Sequence, residues 1–64
     1  MNLGAEARTR RRELRLTQQE LADLAGVSER FVRDFEAGKE TVSLTHARRV
    51  LETLGLHLTL RRPG

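Results

Sequence analysis

Apolar residues recur every three or four positions through most of the chain, which is the period of amphipathic helices. The pattern is clearest near the C-terminus, in a stripe formed by Leu44, Ala47, Val50, Leu51 and Leu54. It is thinnest at the start, over about residues 3–14, where the apolar positions are Leu3, Ala7 and Leu14. Arg11 lies on that same line. With two shorter segments between these, the pattern predicts four helices.

Residues that favour helix ends separate the segments. Thr17-Gln18-Gln19-Glu20 has the form of a capping box, in which Thr17 begins a helix and Glu20 bonds back to it. Ser28 and Ser43 are good N-caps for the third and fourth helices. Glycine, which favours the left-handed backbone at helix C-termini, follows the last three helices as Gly26, Gly38 and Gly55.

The second and third helices are joined by a tight turn, because only Val27 separates Gly26 from Ser28. The residues predicted to be buried in these two helices are small or apolar: Leu21, Ala22, Leu24, Ala25, Val32 and Phe35. Two short helices joined by so tight a turn around glycine are typical of the helix-turn-helix, which places its second helix in the major groove of DNA.

The period changes after Gly55, where Leu56, Leu58 and Leu60 alternate with polar residues as in a half-buried strand. A lone strand needs a partner for its backbone hydrogen bonds, and no second strand is evident in the sequence. We therefore expect the same strand of a second subunit to pair with it, antiparallel, in a homodimer. The predicted fold is all-α: a helical DNA-binding domain at residues 1–55, followed by a dimerisation strand and tail at residues 56–64.

Composition narrows the range of functions. The 64 residues include 12 Lys+Arg against nine Asp+Glu, a net charge of +3, and eleven of the twelve basic residues are arginine. This balance favours a polyanionic partner, and nucleic acid is the usual one. There is no cysteine, no membrane-spanning apolar run and no signal-peptide pattern, so we expect a cytoplasmic protein.

Catalytic and cofactor sites are not indicated. His46 and His57 have no metal-ligand spacing, and the serines and threonines have no histidine at a suggestive place. No Gly-rich phosphate loop is present. We expect no enzyme activity, no metal and no cofactor.

The candidate DNA-binding residues cluster on the motif. The third helix presents charged side chains from its first two turns, where base edges are met: Glu29, Arg30, Arg33 and Asp34. Arginine suits guanine, and a carboxylate accepts from cytosine, although carboxylates also hold neighbouring arginines in place. The candidates for the DNA backbone are Gln18, Gln19, Ser28, Lys39, Thr41 and Ser43. The alternative is an ordinary solvated face with capping residues. Phe31 lies among the charged residues, and we favour core packing for it over contact with a thymine methyl.

The segment RRELRLTQQELADLAGVSERFVRDFEAGK resembles the lambda-repressor-like, or XRE, family of helix-turn-helix proteins. The continuation through VSLTHARRVLETLGLHLTL is similar to HipB-type antitoxins, and the resemblance covers about residues 5–61. It implies a lambda-repressor-like domain of four to five helices. It also matches Gln18, Glu29, Arg30 and Asp34 to DNA-facing positions, and Arg11 and Glu36 to a structural pair between the first and third helices. One departure is Arg15, where many relatives carry glycine.

The resemblance further implies a homodimer on a palindromic operator, autorepression of a toxin–antitoxin operon, and a HipA-like serine/threonine kinase toxin as partner. The flank of the fourth helix is a candidate docking surface for that kinase. Two alternatives stay open: a free-standing regulator without a toxin, and a protein-interaction module whose arginines bind an acidic partner.

Overall fold

The computed structural model describes residues 2–57 of the chain. This part folds into four helices: α1 (Leu3–Glu13), α2 (Gln18–Ala25), α3 (Glu29–Glu36) and α4 (Leu44–Thr53). The predicted all-helical domain and its helix positions are confirmed within these residues. One core is shared by all four helices and consists of Ala7, Leu21, Ala22, Ala25, Val32, Phe35, Ala47, Val50, Leu51 and Leu54.

Each helix begins at a residue whose side chain accepts a hydrogen bond from a backbone N–H of the first turn. Asn2 caps α1, and the Thr17 hydroxyl accepts from the Glu20 N–H at 3.0 Å while the Glu20 carboxylate accepts from the Thr17 N–H at 2.9 Å. The predicted capping box is therefore present. Ser28 and Ser43 cap α3 and α4. These caps satisfy N–H groups that have no partner inside the helix.

Left-handed residues end the helices. Gly26 ends α2 with φ of 72°, which turns the chain directly into α3. After α1 the same conformation is adopted by Arg15, with φ of 59°. There the Leu16 N–H donates to the Arg11 carbonyl at 3.1 Å and the Arg15 N–H to that of Arg12 at 3.0 Å. This pattern of two bonds is the Schellman motif, whose left-handed position is usually glycine.

The packing of α1 on α3 depends on a glycine inside α1. A Cβ atom on Gly4 would overlap the carbonyl oxygen of Phe35 and lie 3.2 Å from Cα of Glu36. Glycine inside a helix costs about 1 kcal/mol relative to alanine, so the close approach of the two backbones is the physical reason for it here. This contact fixes the position of α1 against the helix that carries the candidate DNA-binding side chains.

Three leucines on the predicted apolar lines are exposed, and the first is Leu14, which follows α1 as its C-cap and is 41% exposed. Leu24 is 66% exposed, because the buried side of α2 runs through Leu21, Ala22 and Ala25, and Leu24 lies about 110° from its middle at 3.6 residues per turn. Leu44 is 65% exposed. It is the first residue of α4, and the buried stripe begins one turn later at Ala47.

The chain after α4 leaves the helix through Gly55, whose φ is 75°. The Leu56 N–H donates to the Leu51 carbonyl at 2.8 Å, and the Leu56 side chain is half-buried against the core. Leu56 and His57 have no strand structure. The rest of the predicted strand, including Leu58 and Leu60, lies outside the described residues, as does the pairing expected across a dimer.

Candidate nucleic-acid interface

Helix α3 separates its core side chains from its charged ones. Val32 and Phe35 are buried, as predicted, while Glu29, Arg30, Arg33 and Asp34 reach the surface. The side chain of Arg30 is 85% exposed and that of Arg33 is 61% exposed. The structure therefore brings the four predicted base-contacting residues together on one helix, with the two guanidinium groups standing farthest out.

Ion pairs connect these four residues. Arg33 Nη2 lies 3.1 Å from Glu29 Oε1, one helical turn earlier. Arg30 Nε lies 4.0 Å from Asp34 Oδ2, and the ammonium of Lys39 approaches the same oxygen at 3.7 Å. Pairs of this kind on an exposed surface contribute little to stability, so their main effect is on the direction in which the arginine side chains point.

Phe31 packs inward, as favoured from the sequence. Its ring stacks on Phe35 with centroids 5.8 Å apart and meets the edge of the His46 ring at 5.4 Å. Because these contacts join α3 to the first turn of α4, Phe31 holds the orientation of the charged helix.

Arg11 and Glu36 form a buried ion pair between α1 and α3. Arg11 Nε donates to Glu36 Oε2 at 2.7 Å, and Arg11 Nη2 donates to Glu36 Oε1 at 2.9 Å. Arg11 Nη1 also donates to the Leu16 carbonyl at 2.8 Å, and Gln18 Nε2 donates to Glu36 Oε1 at 3.2 Å. The pair therefore ties α1, α3 and the start of α2 into one unit, with bidentate geometry that is strong for arginine and carboxylate.

The surroundings of this pair shift both pKa values toward the charged forms. Burial raises the pKa of Glu36, but hydrogen bonds from Arg11 and Gln18, with the positive charges of Arg11 and Arg8, outweigh it and hold the pKa below its usual value. The hydrogen bond to Glu36 raises the pKa of Arg11, against the effect of burial. Both groups are charged at neutral pH.

A groove of about 510 Å³ lies beside this pair, between α1, the start of α2 and α3. Four arginines line it: Arg8, Arg11 and Arg12 from α1, and Arg33 from α3. Arg11 is bound to Glu36. Within residues 2–57, neither Arg8 nor Arg12 forms an ion pair. Guanidinium groups gathered in this way offer many N–H donors to an anion such as phosphate.

Of the predicted backbone-contacting residues, all in the described part of the chain, Gln18 lines this groove and the others do not. Gln19 Nε2 donates to Asp23 at 2.9 Å. The hydroxyl oxygens of Ser28 and Ser43 accept from helix N–H groups, which leaves each O–H as a donor. Lys39 and Thr41 are exposed in the loop between α3 and α4.

The sequence interpretation did not identify the groove itself. Arg8 and Arg12 stand one turn apart, which places them on one face of α1, but nothing in the sequence shows that this face meets Arg33. The juxtaposition depends on how closely α1 approaches α3 at Gly4.

A family model described as helix-turn-helix matches residues 8–60 of this chain, which includes α2, the turn at Gly26 and α3. The chain belongs to the XRE family of helix-turn-helix proteins. Among its relatives is a protein of Sinorhizobium fredii described as the uncharacterized HTH-type transcriptional regulator y4mF. It is 44% identical over 63 residues, which cover 98% of this chain and 83% of the relative.

Membership in this family makes the protein a transcriptional regulator with a helix-turn-helix DNA-binding domain. The matched residues include both α2 and α3, the two helices joined by the tight turn at Gly26. None of the helices between residues 2 and 57 is long and apolar enough to cross a membrane.

Proposed function

We propose that this XRE-family protein is a sequence-specific repressor that binds a two-fold symmetric operator as a homodimer. The observation that carries the proposal is the outward face of α3, on which Arg30 and Arg33 stand out beside Glu29 and Asp34. The N-terminal part of a recognition helix meets base edges in the major groove, and arginine can donate twice to guanine. These four residues are the proposed base contacts.

The proposed contacts to the DNA backbone flank that face. Arg8 and Arg12 line the groove beside α3, and the start of α2 supplies Gln18 and Gln19. Ser28 has an O–H free to donate, and Lys39, Thr41 and Ser43 are exposed in the segment between α3 and α4. Arginine, amide and hydroxyl donors around a recognition helix are the groups that hold phosphates and fix the register on DNA.

A mobility-shift assay with the DNA upstream of the protein's own gene tests the repressor proposal. We expect a specific complex that survives an excess of unrelated duplex. Arg30→Ala should weaken it by about 1–3 kcal/mol and relax the preference for that sequence. Arg48→Ala removes the same charge from α4, where Arg48 pairs with Glu52 at 2.9 Å, and serves as the matched control. Equal shifts with unrelated DNA would contradict sequence-specific binding.

The dimer proposal places Leu56, Leu58 and Leu60 in a strand that pairs antiparallel with its copy across the two-fold axis. Its support is the alternating pattern of these leucines and the need of a strand for a hydrogen-bonding partner. Sedimentation should show a dimer at micromolar concentration, and Leu58→Lys should give monomers that have also lost operator binding. A monomeric parent protein would contradict this arrangement.

The antitoxin proposal adds a HipA-like serine/threonine kinase as partner. It rests on the resemblance of VSLTHARRVLETLGLHLTL to HipB-type antitoxins and on the flank of α4, where Arg48, Arg49 and Glu52 are exposed. A charged flank of this kind steers a large partner. Co-expression with the adjacent reading frame, followed by affinity pull-down, tests it. Absence of a kinase-like neighbour, or failure to co-purify with one, would contradict the antitoxin role.

A free-standing regulator is the second candidate. It is favoured by the description of the Sinorhizobium fredii relative as a transcriptional regulator, which refers to no toxin. This candidate keeps the proposed DNA contacts and the operator, so the pull-down distinguishes the two candidates and the mobility-shift assay does not.

A further inference from the structure

The outward face of α3 carries two kinds of chemical group. In the described helix Glu29–Glu36, the charged side chains that reach the surface are two guanidinium groups and two carboxylates. This helix contains no amide, hydroxyl or small apolar side chain. Asparagine and glutamine are the side chains that pair with adenine, and alanine, threonine and phenylalanine contact the thymine methyl. The face therefore lacks the side chains that pair bidentately with adenine or contact the thymine methyl.

Of the nearby exceptions, the Ser28 hydroxyl caps α3 and keeps its O–H as a donor, while the aromatic ring and the two amides have partners within the protein. The ring of Phe31 lies against Phe35 and His46, and so it is occupied by packing. The two amides of the motif stand on α2, where Gln18 donates to Glu36 and Gln19 donates to Asp23. These contacts engage the aromatic ring and one donor of each amide within the protein.

The exposed fractions of the charged side chains differ between the arginines and the carboxylates. The side chain of Arg30 is 85% exposed, whereas those of Glu29 and Asp34 are 39% and 35% exposed. The carboxylates are therefore the less exposed partners of the two ion pairs, and both still reach the surface. A carboxylate repels base edges that present acceptors and accepts from an amino group. Cytosine offers its N4 amino group with no acceptor beside it, whereas the N6 amino group of adenine lies next to the N7 acceptor, so cytosine is the better partner.

We infer that the operator half-site read by α3 is built from adjacent G·C pairs. Arg30 donates to O6 and N7 of a guanine, and the carboxylates of Glu29 and Asp34 accept from the N4 amino groups of neighbouring cytosines while directing the arginines. This inference rests on the proposed function, since it assumes that α3 enters the major groove. It adds the class of base pair that the helix selects.

Selection from a library of randomised DNA duplexes, followed by sequencing, tests the inference with the full chain. The enriched half-sites should contain at least two adjacent G·C pairs. Arg30→Ala should lose the preference for one guanine by about tenfold, the size expected for one bidentate contact. Glu29→Gln should convert one preferred cytosine to adenine, because glutamine pairs with adenine. Arg48→Ala, on α4, should keep the parental preference.

A second measurement uses the parent protein alone, so it does not depend on the folding of any variant. Replacement of the enriched guanine by 7-deazaguanine removes the N7 acceptor and should weaken binding about tenfold. An enriched half-site made of A·T pairs, or equal affinity for the 7-deaza duplex, would overturn the inference while leaving DNA binding intact. No enrichment of any duplex would overturn the proposed function and the inference with it.

Discussion

At the scale of single residues, the charge at Arg11 shows what a sequence pattern reveals. Its place on the apolar line of the first helix marks it as unusual, and the family resemblance names Glu36 as its partner. The structure adds the two further bonds, to the Leu16 carbonyl and through Gln18 to Glu36, that satisfy the pair in a buried place. These bonds depend on side-chain positions from three helices, which no local pattern contains.

The Arg11–Glu36 pair makes stability depend on pH in the acid range. The pKa of Glu36 is lowered in the folded protein, so its contribution is fully present above the unfolded value of about 4.3 and is lost as pH falls through the folded value. Glu36→Gln should lower the free energy of unfolding at pH 7, because Arg11 stays buried without a charged partner. The Glu36→Gln variant should also lose less stability than the parent protein as pH falls below about 4.3.

Urea unfolding of the parent protein and Glu36→Gln between pH 7 and pH 3 measures both effects. The Glu20 carboxylate, whose pKa is lowered by hydrogen bonds from the Thr17 backbone and side chain, should keep part of the acid dependence in the variant. Identical pH profiles for the two proteins would show that Glu36 does not carry this dependence.

Arg15 adopts a backbone conformation that favours glycine. Its φ of 59° costs a residue with a Cβ atom about 1–2 kcal/mol, so Arg15→Gly should raise the free energy of unfolding by about 1 kcal/mol after the entropy of glycine is included. Arg15→Ala removes the same charge without relieving the backbone and should give no such gain. Thermal melts of the three proteins decide between these outcomes, and equal gains in both variants would assign the effect to charge.

At the scale of the elements, the ends of the helices were predictable and their exposed sides less so. Caps and terminal glycines act within a few residues, so Thr17, Ser28 and Gly26 identify helix boundaries directly. The predicted burial of Leu24 and Leu44 was wrong, because an amphipathic stripe does not show which part of it a neighbouring helix covers. The close approach of α1 and α3 at Gly4 was not foreseen, since it depends on residues more than 30 positions apart.

Gly4→Ala tests that approach. Alanine is the better helix former by about 1 kcal/mol. Its Cβ would however overlap the Phe35 carbonyl oxygen, and a backbone atom cannot move aside as the end of a flexible side chain can. We expect a net loss of about 1–3 kcal/mol, the usual cost of overpacking. Ala5→Gly, at the exposed neighbouring position, should lose about 1 kcal/mol from helix propensity alone. A more stable Gly4→Ala variant would contradict the contact.

At the scale of the whole molecule, the sequence predicted helix α3 and the four charged residues at its surface. It could not give the groove beside that face, because Arg8, Arg12 and Arg33 come together only through the packing of α1 on α3. It also could not give the difference in exposure between the arginines and the carboxylates, which depends on side-chain conformation. The strand proposed for dimerisation belongs to this scale as well and stays a prediction.

We propose that α3, together with the start of α2, forms the surface that docks on duplex DNA. The most direct measurement follows backbone amide resonances of the isotope-labelled protein by nuclear magnetic resonance while the duplex from upstream of its own gene is added. We expect the changes in resonance frequency to be concentrated at Gln18 and Gln19 and over residues 29–34. The resonances of residues 48–52 of α4 should change little. Shifts centred on α4 while α3 stays unperturbed would contradict it.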